Sequence, residues 1–113
     1  MSITTRYLNP DFAVAAQLSE QDMAAVAAQG FKTVINNRPD GEGGDGQPAS
    51  RAVEASAKAL GLNYIYLPVV SGAVTPQQVQ AMRDALAGAA TPVLAFCRSG
   101  ARSAQLYGFA TGQ

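Results

Sequence analysis

The chain has no histidine and a single cysteine among its 113 residues. Without histidine there can be no Ser-His-Asp triad, no Cys-His dyad and no His-ligated metal site, and one cysteine excludes a cysteine-rich zinc site. That cysteine, Cys97, has no intrachain partner for a disulfide and stays a free thiol in a reducing compartment. An excess of charge of either sign is also missing. Eight Lys and Arg balance eight Asp and Glu, so no broad field is available to hold nucleic acid or an anionic membrane. The opening MSITTRYLNPDF lacks the basic start and apolar run of a signal peptide, and no stretch is long and apolar enough to span a bilayer. These absences predict a cytoplasmic protein. No metal or cofactor is called for, so an enzyme built on this chain must activate its nucleophile with backbone dipoles, cations or hydrogen bonds.

What is present suits one domain over residues 1–113, since 48% of positions are apolar and can fill one adequate core. Ser19 and Asp22 form a capping-box pattern that opens a helix with Met23, Val26 and Ala27 on one face, closed by Gly30. FKTVINN is short and β-branched, which predicts a strand from Lys32 to Asn36. In RPDGEGGDGQP the run of Gly41, Gly43, Gly44 and Gly46 between prolines predicts a long mobile loop. SRAVEASAKAL reads as a helix with Ser50 at its N-cap, and the strand Asn63 to Leu67 follows. Thr75, Pro76 and Gln78 combine an N-cap, a proline at the first position and a capping-box partner, with Val79, Met82 and Leu86 as the buried stripe. TPVLAF is a candidate fully buried strand that leads straight into CRSGARS and a last helix, SAQLYGFA. The alternation predicts an α/β fold: a small parallel sheet flanked by helices on both faces, with FAVAAQ as an added edge strand.

In such a sheet, ligands bind beyond the carboxyl ends of the strands, which is where the loop after Phe96 lies. Gly100 lets that loop turn tightly, so that the amides of Arg98, Ser99, Gly100, Ala101, Arg102 and Ser103 can converge on one point at a helix N-terminus. These donors, with the charges of Arg98 and Arg102, favour a thiolate at Cys97. A free cysteine is often just a small buried hydrophobe. A strand, then Cys, Gly three on, Arg five on and Ser six on before a helix is a pattern that points instead to a nucleophile.

CRSGARS resembles the active-site loop of the rhodanese and cysteine phosphatase superfamilies. FKTVINNRPDGE, QP, GLNYIYLPV, TPQQVQ and PVLAFCRSGARS, in that order, resemble the bacterial beta-lactamase hydrolase-like, protein phosphatase-like family over roughly the last three quarters of the chain. The resemblance implies a cysteine-phosphatase-like or rhodanese-like fold. It also implies a domain found alone or fused to a persulfide dioxygenase, and both phosphatase and sulfurtransferase activities.

Two departures favour sulfur transfer. Four residues separate Cys97 from Arg102, where the phosphatase signature has five, and a shorter loop suits one sulfur atom better than three phosphoryl oxygens. The loop LPVVSGAV carries no carboxylate to serve as general acid. Asp40 could take that role if its loop folds over the site, and is otherwise a turn residue. Ser103 donates to Cys97, or caps the last helix, and the two roles are compatible. Arg38 either helps position an anion or caps strand ends from the surface. The leading expectation is a sulfurtransferase that takes sulfane sulfur from a small anionic donor, thiosulfate or a persulfide, through a Cys97 persulfide to a thiol or cyanide acceptor. A persulfide dioxygenase would be a fitting partner. The alternatives are a tyrosine or dual-specificity phosphatase working through phosphocysteine, and a non-catalytic sulfur-relay or sensing module.

Overall fold

The computed structural model describes residues 3–112. Five strands form one sheet: β1 (Arg6–Asn9), β2 (Phe12–Ala15), β3 (Thr33–Asn36), β4 (Asn63–Tyr66) and β5 (Val93–Phe96), in the order β1-β2-β5-β3-β4. β2, β5, β3 and β4 run parallel, and β1 closes the edge as an antiparallel partner of β2. The segment FAVAAQ is therefore not an edge strand. Its four residues in β2 are all buried between β1 and β5, and the edge belongs to β1, whose sequence RYLN gives no alternating signal.

Helices α1 (Met23–Ala28), α2 (Ser50–Ala59), α3 (Pro76–Gly88) and α4 (Ala101–Thr111) cover the two faces. Successive side chains of a strand point to opposite sides, so each strand feeds both layers. Ala13, Val34, Leu94 and Phe96 pack with Met23 and Val26 of α1 and Val53 and Ala57 of α2. Phe12, Ile35, Val93 and Ala95 pack with Met82 of α3 and Leu106 and Tyr107 of α4. Leu94 has no exposed surface, and its truncation to alanine costs about 2–5 kcal/mol on the general scale for core leucines.

Two helix starts are capped in contrasting ways. At α3, the Thr75 amide donates to Gln78 Oε1 at 2.9 Å and the Gln78 amide to Thr75 Oγ1 at 3.1 Å, a complete capping box. At α2, Ser50 is the first helical residue rather than the cap. Its amide donates to the Asp40 carboxylate at 2.8 Å, so the capping acceptor comes from the glycine-rich loop.

β3 and β5 lie side by side, with Asn36 level with Phe96. The chain segments that leave them, Asn37-Arg38 and Cys97-Arg98, therefore emerge together at the carboxyl end of the sheet. The Asn37 amide donates to the Phe96 carbonyl at 2.8 Å and holds the two exits in register.

Candidate active site

Cys97 follows β5 directly, and Gly100 makes the turn that starts α4. Gly100 has φ +94°, and a Cβ placed there would lie 3.3 Å from the Ala15 carbonyl oxygen, so both conformation and space require glycine. The loop is stitched to the end of β2: the Cys97 amide donates to the Ala15 carbonyl at 3.4 Å, and the Gln17 amide to the Arg98 carbonyl at 3.2 Å. So held, the Gly100 amide donates to Cys97 Sγ at 3.1 Å.

Burial alone would push the Cys97 thiol up. Hydrogen bonds from the amide and hydroxyl of Ser103 and the amides of Ser99 and Gly100 outweigh that effect, and the thiol sits below its ordinary range. The sulfur anion is thus stabilised by main-chain dipoles and one hydroxyl, the loop donors that the sequence suggested alongside guanidinium charge. Only 1% of Cys97 is exposed, but it lines a polar cleft of about 670 Å³ together with Arg38, Glu42, Ser71, Arg98 and Arg102. Ser99 and Ala101 also line this cleft. Gly100 and Ser103 are buried behind it.

Arg102 is held by three charge-bearing or carbonyl contacts. Its Nη1 donates to Glu42 Oε2 at 3.0 Å and to the Val69 carbonyl at 2.9 Å, and its Nη2 donates to Glu42 Oε1 at 3.0 Å. Glu42 therefore grips the end of the guanidinium that the two Nη atoms form. The same Oε1 accepts from Arg38 Nε at 2.9 Å, and Arg38 Nη1 donates to Gln17 Oε1 at 3.2 Å. The Arg102 hydrogen bonds, offset in part by burial and helped by Arg38, hold the Glu42 carboxyl below the usual carboxylate range. Arg102 Nε is buried and has no partner among the described residues. A guanidinium offers five N–H donors in a planar fork. Three are spent here, and the two that remain, on Nε and Nη2, lie along one side of the plane, where two oxygens of an oxyanion can be bound together.

The glycine-rich segment forms a hydrogen-bonded wall of the cleft. The Gly43 amide donates to Gln47 Oε1 at 2.6 Å and Gln47 Nε2 to the Pro39 carbonyl at 2.9 Å. A Cβ on Gly43 would fall 2.6 Å from Arg38 Nη2, so glycine there is what lets Arg38 lie beneath the wall. Arg38 is 9% exposed and belongs to the cleft, not to the outer surface. Asp40 is not among the cleft residues. Its carboxylate accepts from the Ser50 amide and its own amide donates to the Tyr66 hydroxyl at 2.9 Å, which turns it toward α2.

Sequence reasoning missed Glu42 and Asn37. Glu42 meets Arg102 across sixty positions of chain, and nothing local marks it out from Asp40 and Asp45 beside it. Asn37 left a weak signal: two asparagines end an otherwise apolar strand at the edge of the sheet where ligands bind. Its side chain has no exposed surface, donates from Nδ2 to the Leu67 carbonyl at 2.9 Å, and accepts at Oδ1 from the Ser103 hydroxyl at 2.9 Å.

Over residues 4–113 the chain matches the family described as "Beta-lactamase hydrolase-like protein, phosphatase-like domain". It is similar to a beta-lactamase hydrolase-like protein of Agrobacterium fabrum, at 37% identity over 88% of this chain, and spans 23% of that relative's length. Among solved structures it is similar to a candidate phosphatase of Neisseria meningitidis, with a TM-score of 0.83 and 31% identity over 90% of this chain and 72% of that one. P. aeruginosa TpbA, solved in complex with pTyr, shares the fold alone, with a TM-score of 0.67 and 20% identity over 92% of this chain and 59% of that one. Among the described residues no helix is long and apolar enough to cross a membrane.

These similarities overturn the expectation of sulfur transfer: the family is described by a phosphatase-like domain, and the similar structure from Neisseria meningitidis is a candidate phosphatase. The expected partners, a thiosulfate or persulfide donor, a thiol acceptor and a persulfide dioxygenase, fall with it. The physical reason lies in what the short loop does. The amides of Ser99, Gly100 and Ser103 serve the Cys97 sulfur itself, so the loop's length is no measure of the ligand; the free edge of Arg102 and the cleft beside it are.

Proposed function

We propose, from the premise that the chain belongs to the beta-lactamase hydrolase-like protein, phosphatase-like domain family, that it is a cysteine-dependent phosphatase acting on phosphate monoesters. The observation that carries this reading is the buried Arg102 Nε without a partner, in a cleft shared with a cysteine whose thiol is held below its ordinary range. An unpaired buried donor is costly unless a ligand satisfies it, and a phosphoryl group fits a guanidinium side edge with two oxygens at once.

The Cys97 thiolate attacks phosphorus, the bond from phosphorus to the ester oxygen breaks, and the alcohol or phenol leaves. Water then attacks the phosphocysteine, the phosphorus–sulfur bond breaks, and the thiolate returns to its donors while inorganic phosphate and a proton depart. Arg102 holds the equatorial oxygens through both steps. Glu42 and Arg38 keep Arg102 aligned, and Arg98 and Ser71 line the way in. Asp40 caps α2 in this scheme. The carboxylate in the cleft, Glu42, is ionised and engaged, so the departing oxygen takes its proton from solvent.

Hydrolysis of p-nitrophenyl phosphate tests the proposal. It is expected to vanish in Cys97→Ser and to fall sharply in Arg102→Lys, because an ammonium cannot present a side edge to two oxygens. Turnover that ignores Cys97 removes the reading.

A further inference from the structure

Ser103 has one hydroxyl proton and two groups that call on it. In the structure the hydroxyl donates to Asn37 Oδ1 at 2.9 Å, while the same hydroxyl helps to hold the Cys97 thiol below its ordinary range. A hydroxyl donates one hydrogen at a time, so the two bonds compete. Ser103 and Asn37 are wholly buried, so no solvent serves Asn37 when the hydroxyl leaves it. Asn37 cannot turn away, because its Nδ2 is tied to the Leu67 carbonyl and its amide to the Phe96 carbonyl.

We propose that Asn37 is a positioning residue that gives the Ser103 proton a second resting place, so that the hydroxyl alternates between Cys97 Sγ and Asn37 Oδ1 in step with the charge on sulfur. When sulfur is an anion, the charge-assisted bond is the stronger one, and the hydroxyl turns to Sγ. When sulfur is protonated, or carries a phosphoryl group in the proposed phosphatase cycle, it is a poor acceptor, and the hydroxyl returns to Asn37. Asn37 thereby stabilises the uncharged-sulfur states relative to the thiolate. It restrains the thiol from ionising too readily and keeps a buried hydroxyl satisfied while the intermediate stands. The role in the intermediate rests on the phosphatase reading; the role in thiol ionisation does not.

Cys97 is the only cysteine, so its alkylation by iodoacetamide as a function of pH reports its ionisation without interference. The charged groups that line its cleft are Arg38 from the exit of β3, Glu42 from the glycine-rich wall, and Arg98 and Arg102 from the loop and α4. None is altered in the variants used. Ser103→Ala is expected to raise the midpoint. Asn37→Ala is expected to lower it by about half a unit to one unit, the size of one neutral hydrogen bond, and to speed alkylation about three- to tenfold below the midpoint. In a Ser103→Ala background, Asn37→Ala is expected to move nothing. A midpoint that rises in Asn37→Ala, or shifts equally in both backgrounds, overturns the proposal. If Asn37→Ala does not fold, NMR of the Asn37 side-chain carbonyl in the native sequence decides the matter. Its signal should titrate with the Cys97 midpoint, and that response should shrink by more than half in Ser103→Ala; a flat signal, or one unchanged by Ser103→Ala, overturns it. None of these readouts needs turnover, so loss of the phosphatase reading would show separately as absent hydrolysis with the alkylation result intact.

Discussion

Glu42→Gln keeps the length of the side chain while removing its charge and one of its two acceptor oxygens. The native carboxylate accepts from Arg102 twice, at 3.0 Å each, and from Arg38 at 2.9 Å. In the variant, one Arg102 contact is replaced by an amide NH2 that faces a guanidinium N–H, and the remaining bonds lose their charge assistance. A hydrogen bond to a charged group is worth roughly 1.5–3 kcal/mol. Glu42 keeps 27% of its side-chain surface exposed, and solvent screening takes part of that away, leaving about 1–2 kcal/mol. If that energy goes into aligning Arg102 for the transition state, kcat/KM falls about five- to thirtyfold. Two assays read it: steady-state hydrolysis of p-nitrophenyl phosphate, and inhibition by orthovanadate, an oxyanion that the same guanidinium edge binds. Both should weaken together while circular dichroism stays unchanged. If vanadate binds the variant more tightly than the native protein, Glu42 competes with the substrate for Arg102 and the assignment as an aligning residue is wrong.

Three further outcomes follow from the same geometry. With the departing oxygen left to solvent for its proton, kcat/KM should fall steeply as the leaving phenol becomes more basic, and Asp40→Asn should leave that slope unchanged; a flat dependence would reveal a general acid. Because Cys97 ionises more readily in the folded chain, stability toward urea should rise with pH from the folded midpoint up to the ordinary thiol range, and fall as pH drops through that midpoint. Cys97→Ser should lack this rise. Gly100→Ala forces a side chain into φ +94° and against the Ala15 carbonyl, and should cost about 1–3 kcal/mol of stability and raise the Cys97 alkylation midpoint as its amide shifts; an unchanged midpoint would mean that this amide does not support the anion.

What could be read from the sequence was what local chemistry decides. The Thr75-Pro76-Gln78 start, the buried strand before Cys97 and the glycine three residues beyond it all rest on neighbours in the chain, and the structure places them as expected. Contacts made across the fold were not legible. Asp40 and Glu42 are two positions apart in one polar loop, yet one caps α2 and the other grips Arg102, and only the path of the loop separates them. The β1 strand is half exposed and pairs with β2 alone, so it carries no periodic signal. The choice of chemistry failed for a related reason: spacing within CRSGARS was read as the size of the ligand, whereas donors of the loop serve the sulfur and the room for a ligand is set by residues from three separate segments.

Rapid acid quench during hydrolysis of an aryl phosphate, followed by mass spectrometry of the peptide containing Cys97, tests whether the phosphoryl group passes through sulfur. A phosphoryl adduct is expected on Cys97 in the native chain and in Glu42→Gln, and none in Cys97→Ser. Continued release of phosphate with Cys97 unmodified at every quench time would contradict passage through sulfur.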